Sequence, residues 1–391
     1  AMSQTGISLS QLYTLILRDG FQIHPEVAFG YSLGEASGML FALGVWQEKY
    51  HAYAPNSTIA LATSPLFKTA LYGECTTGRN YFGLPINPRQ EEDKFWISYL
   101  IKASILKVKE FIQQEEQVYI TFINTFQEVV IAGEPSACLR VTKKLNCPYI
   151  AIKFDSVLHS PIAKYEYDKL VELHTLPIQN IPNIKFYSGI SCNLMNLDTD
   201  YLAHNSAKVC CQTVNFPQLV NQVYQDGARI FIEVGAKNNC SRWIGEILKD
   251  SNHLAASINH KSIDDYITII KLLGKLISHN VPVDLSPLYS DKIQKYSQNK
   301  SIIKKIILGG KLIKTSILTP ENKYKFQSKV LQTYNYSNSN NKNAKQSMNP
   351  LSNSDKKQIE NLKNLKILKL QIAVSQQLIT QNQFPEEKVN S

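Results

Sequence analysis

Arginine is scarce in this chain, with six in 391 residues, and all six lie before Trp243. Clustered arginine interleaved with stacking aromatics, the usual footprint of a nucleic-acid surface, is therefore missing, and no recognisable nucleic-acid module stands in for it. No apolar run approaches the roughly 18 residues that a membrane-spanning helix needs, and no early segment joins a basic start to a long apolar stretch. The seven cysteines, Cys75, Cys138, Cys147, Cys192, Cys210, Cys211 and Cys240, form neither a C-x-x-C pair nor a zinc-ligand cadence. These absences predict a soluble cytoplasmic protein with free thiols, no metal site and no permanently bound cofactor.

What is present is a 43% apolar composition, enough for one large core or two modest domains. The formal charge of +10 is placed unevenly, because lysine and asparagine accumulate beyond Ser290, as in Tyr334-Asn335-Tyr336-Ser337-Asn338-Ser339-Asn340-Asn341-Lys342-Asn343. A basic field of this kind steers phosphates or an acidic protein partner without identifying either.

Hydrophobic spacing predicts an amphipathic helix over Leu9–Leu17, a short strand over Glu26–Gly30 and a second helix reaching Leu43. Strands are expected at Gln117–Ile123, Glu128–Gly133 and Pro148–Phe154, with a helix from Pro135 to Leu145 between the last two. This strand, helix, strand run reads as a small inserted α+β subdomain. Later strands are expected at Ile184–Tyr187 and Arg229–Val234, and a surface helix at Ile263–Ile277. Ile302–Ile317 reads as two short strands, Ile359–Leu370 as a helix, and the sequence beyond Lys323 as linker or disordered tail.

The feature that carries chemistry is Gly30-Tyr31-Ser32-Leu33-Gly34, with Val27-Ala28-Phe29 before it and Glu35-Ala36-Ser37-Gly38 after it. It reads as a nucleophile elbow, a strand, a sharp turn bearing Ser32, and a helix. Gly30 and Gly34 are expected to let backbone crowd around the turn. The Leu33 amide, at the start of the helix, is a candidate oxyanion donor. His159, in Ser156-Val157-Leu158-His159-Ser160-Pro161, is the candidate general base. Asp155 is the carboxylate nearest to it in sequence. A lipase-like hydrolase ordinarily has an acid between serine and histidine and a late histidine, whereas ordered-looking sequence here runs on to at least Tyr289.

GYSLGE at Gly30–Glu35, NTFQEVVIAG at Asn124–Gly133, LHS at Leu158–Ser160 and FIEVG at Phe231–Gly235 resemble, in order, the malonyl-type acyltransferase domains of fatty acid and polyketide synthases. HLAASINHKSIDDY at His253–Tyr266 and HNVPVDLSPLY at His279–Tyr289 extend the likeness to polyunsaturated fatty acid synthases and the heterocyst glycolipid synthases of cyanobacteria. The resemblance covers about Ser8 to Leu318.

It implies an α/β acyltransferase fold with a parallel sheet core and an inserted ferredoxin-like subdomain. The corresponding division is core at 1–115, insertion at 116–182, core again at 183–290, an extension at 291–322 and the tail at 323–391. It also implies that Ser32 takes a malonyl or related acyl group from coenzyme A, with His159 moving the proton. The phosphopantetheine thiol of an acyl carrier protein, alongside other synthase subunits or domains, then collects the group. The family holds the malonyl carboxylate with an arginine, for which Arg79 and Lys68 are the candidates here, and Asn124 and Tyr31 match pocket positions. Arg79 also reads as a structural residue, and Asn124 as a turn former.

Compared with the family, the first strand and its glycine-glutamine-glycine loop are not matched, and Gly235-Ala236-Lys237 stands where a glycine-proline-glycine is usual. Three readings follow: an acyltransferase, an acyltransferase-fold scaffold or carrier-docking component, and a serine hydrolase whose histidine pairs with a buried acid.

Overall fold

The computed structural model describes residues 2–46, 61, 63–86, 94–152, 154 and 156–289. The chain divides into two compact units, Ala1–Pro287 and Leu288–Ser391. The expected elements at Ile302–Ile317 and Ile359–Leu370 and the Lys/Asn-rich tail lie outside the described residues.

Helix α1 spans Met2–Leu15, longer at its start than the apolar spacing indicates, and passes into a π turn at Ile16–Gly20. Strand β1 is short, Val27–Ala28, and leads into Ser32. A second π turn, Gly34–Gly38, and helix α2, Met39–Ala42, follow it. After α2 come another π turn at Leu66–Leu71 and helix α3 at Thr76–Tyr81. Strand β1 pairs in parallel with β6, Lys185–Phe186. Leu40, Trp46, Phe186 and Leu202 form the buried cluster beneath this pair.

The main sheet is built from β2, Ile97–Ile101, β3, Val118–Thr125, β4, Glu128–Gly133, and β5, Tyr149–Ile152. All pair antiparallel, in the spatial order β5, β2, β4, β3. Helices α4, Ile105–Ile112, and α5, Pro135–Leu145, make the connections, which gives a βαββαβ unit. Strand β4 is central, and all six of its residues are buried, so it is apolar throughout apart from Glu128 and Gly133. Helix α5 starts where Glu134 accepts from the amides of Ser136 and Ala137 with Pro135 in the first turn, and it ends at Asn146 with φ of 45°. Its buried face of Ala137, Cys138, Val141 and Leu145 packs with Ile101, Val108 and Ile131.

This unit begins earlier than the expected boundary at 116, because β2 and α4 belong to it. The isoleucine and tyrosine content of Ile97–Ile101 is a strand signal that a boundary at 116 assigns to the preceding core. A further strand, β7, Val214–Asn215, joins the sheet parallel to β3 and also lies outside the expected 116–182 span.

A 3-10 turn at Pro161–Glu166 leads into α6, Tyr167–His174, which packs against α7, Thr199–Cys211. Helix α8, Phe216–Gln225, follows β7. Strands β8, Ile230–Glu233, and β9, Leu254–Ser257, pair in parallel around α9, Asn239–Ile247. Helix α10, Asp265–Ser278, closes this part of the chain. Tyr187, Phe216, Val220, Phe231 and Trp243 are buried together where α8, α9 and β8 meet.

Candidate active site

Ser32 sits on the sharp turn between β1 and the π turn, with φ of 52°, in the left-handed region that a β-substituted residue adopts only under constraint. Gly30 is required here. A Cβ on it would stand 2.1 Å from the amide nitrogen of Glu35. Gly34 is not required: a Cβ there would meet nothing within 4 Å and its φ is ordinary, so the crowding expected at both glycines belongs to the first alone. The turn's own hydrogen bonds use the amides of Gly34, Glu35 and Ala36, which donate to the carbonyls of Tyr31 and Ser32. Leu33 N–H takes no part in those bonds. That is the position an oxyanion donor must occupy.

His159 also has a left-handed backbone, φ 61°, and is buried. Its Nε2 lies 2.8 Å from Ser32 Oγ. Its Nδ1 lies 2.7 Å from the carbonyl oxygen of Val209, and its backbone N–H donates to the carbonyl of Cys210 at 2.7 Å. A carbonyl can only accept, so Nδ1 carries the proton and Nε2 presents its lone pair to the serine hydroxyl. Val209 and Cys210 lie in the last turn of α7, whose carbonyls lack partners within the helix. Burial pushes the imidazole down to about 4, against hydrogen bonds to the Val209 and Gln212 backbones that raise it, so His159 is neutral at pH 7.

The third member of the constellation is thus a helix C-terminus and not a carboxylate. Its carbonyl fixes the tautomer, and its partial negative charge favours the imidazolium that forms once the serine gives up its proton. Asp155 lies outside the described residues. The paired acid that a hydrolase reading requires is replaced at Nδ1 by Val209.

Tyr31 lies on the other side of the serine. Its hydroxyl donates to Asn124 Oδ1 at 2.7 Å, and Asn124 Nδ2 donates to Glu128 Oε1 at 3.1 Å. The Tyr31 ring stacks on Phe122 with centroids 5.4 Å apart, and Phe122 in turn lies 4.5 Å from the His159 ring. Asn124 and Tyr31 are thus joined to each other and, through Phe122, to the His159 ring.

Arg79 and Lys68 lie on the segment around α3. Arg79 is buried, donates to the carbonyls of Glu74 and Pro85 at 3.2 Å, and lies over the Phe95 ring. These contacts brace the turn around α3. Lys68, on the π turn at Leu66–Leu71, is exposed.

Several residues of the site are not apparent from the sequence pattern. Glu35 is buried, and its Oε1 accepts from Gly189 N at 2.8 Å and from Asn205 Nδ2 at 3.1 Å. Burial lifts its carboxyl to about 7, against hydrogen bonds from Asn205, Gly189 and Ser188 that lower it. Glu128 has a legible signal, a lone carboxylate opening the apolar run of β4. The Val209 carbonyl has none, because its role belongs to the backbone. Among the described residues no group of three or more His, Cys, Asp or Glu could hold a metal, and no helix is long and apolar enough to cross a membrane. All seven cysteines are free.

No family model matches the chain. It is 26% identical over 308 residues to a polyunsaturated fatty acid synthase subunit of Thraustochytrium, a match covering 75% of this chain and 15% of that protein, and it is a homologue of that segment. The chain thus spans a small fraction of this curated relative's length. Among solved structures it is similar to the acyltransferase domain from module 8 of the salinomycin polyketide synthase, with a TM-score of 0.56, 16% identity, and 72% of this chain and 61% of that one covered. It is also similar to FabD from Acinetobacter baumannii, at 0.54, 18%, 71% and 81%. A malonyl-transacylase solved in complex with a type II polyketide synthase acyl-carrier protein matches at 0.51, 16%, 67% and 77%. These likenesses establish the acyltransferase fold.

Proposed function

We propose that this chain is an acyltransferase that moves a malonyl-type acyl group from coenzyme A to the phosphopantetheine thiol of an acyl carrier protein, through an ester on Ser32. The observation that carries the reading is the 2.8 Å contact of Ser32 Oγ with a neutral, tautomer-fixed His159 on a strained elbow, within an acyltransferase fold.

In the first half-reaction Ser32 Oγ attacks the thioester carbonyl while its proton passes to His159 Nε2. Leu33 N–H donates to the oxyanion. When the C–S bond breaks, the departing thiolate takes the proton from His159. In the second half the carrier thiol gives its proton to His159 and its sulfur attacks the seryl ester, and Ser32 recovers the proton as it leaves. Every bond made is matched by one broken, and no metal or redox cofactor is called for.

The malonyl class and the carrier partner are supported by the solved neighbours, which are described as malonyl transacylases and polyketide synthase acyltransferase domains. The synthase context and the other synthase subunits as partners are supported by the likeness to the Thraustochytrium protein, described as a synthase subunit; a cytoplasmic location belongs to the same reading. The Val209 carbonyl at His159 Nδ1, where a lipase-like base has its acid, disfavours the hydrolase reading.

The test is to incubate the protein with radiolabelled malonyl-coenzyme A, follow label on wild type and Ser32→Ala, and then add acyl carrier protein. Ser32-dependent label that moves to the carrier is the expected result. Absence of label on folded wild type would leave the scaffold reading in its place.

A further inference from the structure

Glu128 opens the central strand β4 with only 2% of its side chain exposed, yet four donors converge on it. Trp243 Nε1 donates at 2.7 Å and Asn124 Nδ2 at 3.1 Å. The Arg242 guanidinium reaches it at 3.3–3.5 Å, and Lys102 Nζ also bonds to it. Lys102 follows β2, whereas Arg242 and Trp243 lie on α9, so the carboxylate ties the antiparallel unit to the helix after β8. Both basic side chains are about half exposed, 48% for Lys102 and 47% for Arg242, so the buried charge is Glu128's alone.

A buried charge is a costly way to fill this space, because a neutral group of the same shape would avoid the desolvation penalty. A carboxylate does one thing an amide does not: it only accepts. Asn124 must therefore turn its NH2 toward Glu128 and its carbonyl oxygen away from it, and the hydroxyl facing that oxygen, Tyr31, must be the donor. Burial pushes Glu128 up, but hydrogen bonds from Lys102, Asn124 and Arg242 outweigh it and hold the carboxyl below its ordinary value, so the acceptor persists at neutral pH.

The bond fixed in this way pins the tip of the Tyr31 ring, which is boxed by Phe122, Phe216 and Trp243 at centroid distances of 5.4, 5.5 and 5.1 Å. Phe122 carries the contact on to His159. We propose that Glu128 is a positioning residue for Ser32 acylation: through Asn124 it fixes the direction of the Tyr31 hydrogen bond, and with it the aromatic wall beside the serine and histidine. This rests on the acyl-transfer reading for its substrate, though not for its geometry.

The experiment measures the rate of Ser32 labelling by two probes, malonyl-coenzyme A and a fluorophosphonate that reacts with activated serines. The proteins are wild type, Glu128→Gln, Tyr31→Phe, their double variant, and the exchange Asn124→Asp with Glu128→Gln. Each single variant is expected to slow labelling about tenfold, the double no further than either single, because both act on one bond. The exchange returns the acceptor, now Asp at 124 facing both Tyr31 and a donating amide, and is expected to label within about threefold of wild type.

Wild-type rates in Glu128→Gln, singles that multiply to about a hundredfold, or no recovery in the exchange overturn the proposal. A carboxylate that merely braces Lys102 and Arg242 lowers the melting temperature without that pattern. If Glu128→Gln fails to fold, the exchange and Tyr31→Phe decide, and an exchange that also fails to fold overturns it. If malonyl-coenzyme A leaves wild type unlabelled while the fluorophosphonate labels Ser32, the transfer reading falls and the fluorophosphonate series alone tests Glu128. If neither probe labels wild type, both fall.

Discussion

Two polar networks meet at Ser32, and they are built on opposite principles. On the His159 side every partner is neutral: an uncharged imidazole, the Val209 carbonyl and the backbone of Cys210. On the Tyr31 side the chain of bonds ends in formal charges, Glu128 with Lys102 and Arg242. The proposed base is buried and uncharged at rest, so that under that reading charge arises there only during reaction. The proposed positioning group uses a permanent charge, placed two hydrogen bonds away from the Tyr31 ring, where it orders donors and acceptors.

The neutral side is broken most completely by Ser32→Ala, which is expected to abolish covalent labelling by malonyl-coenzyme A, read by mass spectrometry. His159→Ala is expected to retain the fold and lower the acylation rate by about 10²–10⁴, the usual worth of a general base, in single-turnover measurements. Gly30→Ala attacks the turn itself. With a Cβ 2.1 Å from Glu35 N, it is expected to cost about 4 kcal/mol or more in urea unfolding, the range of backbone-against-backbone clashes.

The pH behaviour sharpens the contrast. Glu35 is lifted to about 7, so its contribution to stability is full below its unfolded value near 4.5 and is lost as pH rises through 7, on the order of 3 kcal/mol in all. His159 is lowered from 6.5 to about 4, so its contribution is full above 6.5 and is lost as pH falls toward 4. The two slopes oppose each other between those limits. Glu35→Gln keeps an acceptor for Gly189 and Asn205, and it is expected to be more stable than wild type at pH 8, with the gain vanishing near pH 4.5 in melts across that range. Gly34→Ala gives the smallest effect, a change within about 1 kcal/mol and in the stabilising direction, because the site is open and its backbone ordinary.

The legible part of this protein is its local chemistry. β4 and α5 fall where the apolar run Val129–Ala132 and the helix opening at Pro135 place them. β2 carries a strand signal in its isoleucines and tyrosine, but its membership of this unit follows only from its pairing with β4 and β5 on either side. The candidate site divides along the same line. Ser32 announces itself through the glycine and the strand before it, and His159 through its motif. Arg79 is ambiguous in sequence, because a lone arginine near a pocket position looks the same whether it faces a substrate or braces a turn, as it does here against the carbonyls of Glu74 and Pro85.

The sequence by itself determined the elbow and the order of motifs that belongs to an acyltransferase fold, because each is written in residues adjacent in the chain. Only the tertiary structure decided that His159 is oriented by the end of α7, that Glu128 answers to Trp243 and Arg242, and that Tyr31 is tied to Asn124, since those partners stand 50, 114–115 and 93 residues apart. Hydrogen bonds over such separations leave no periodic trace. They exist because packing brings a carbonyl or a carboxylate to the one place where a buried donor needs it.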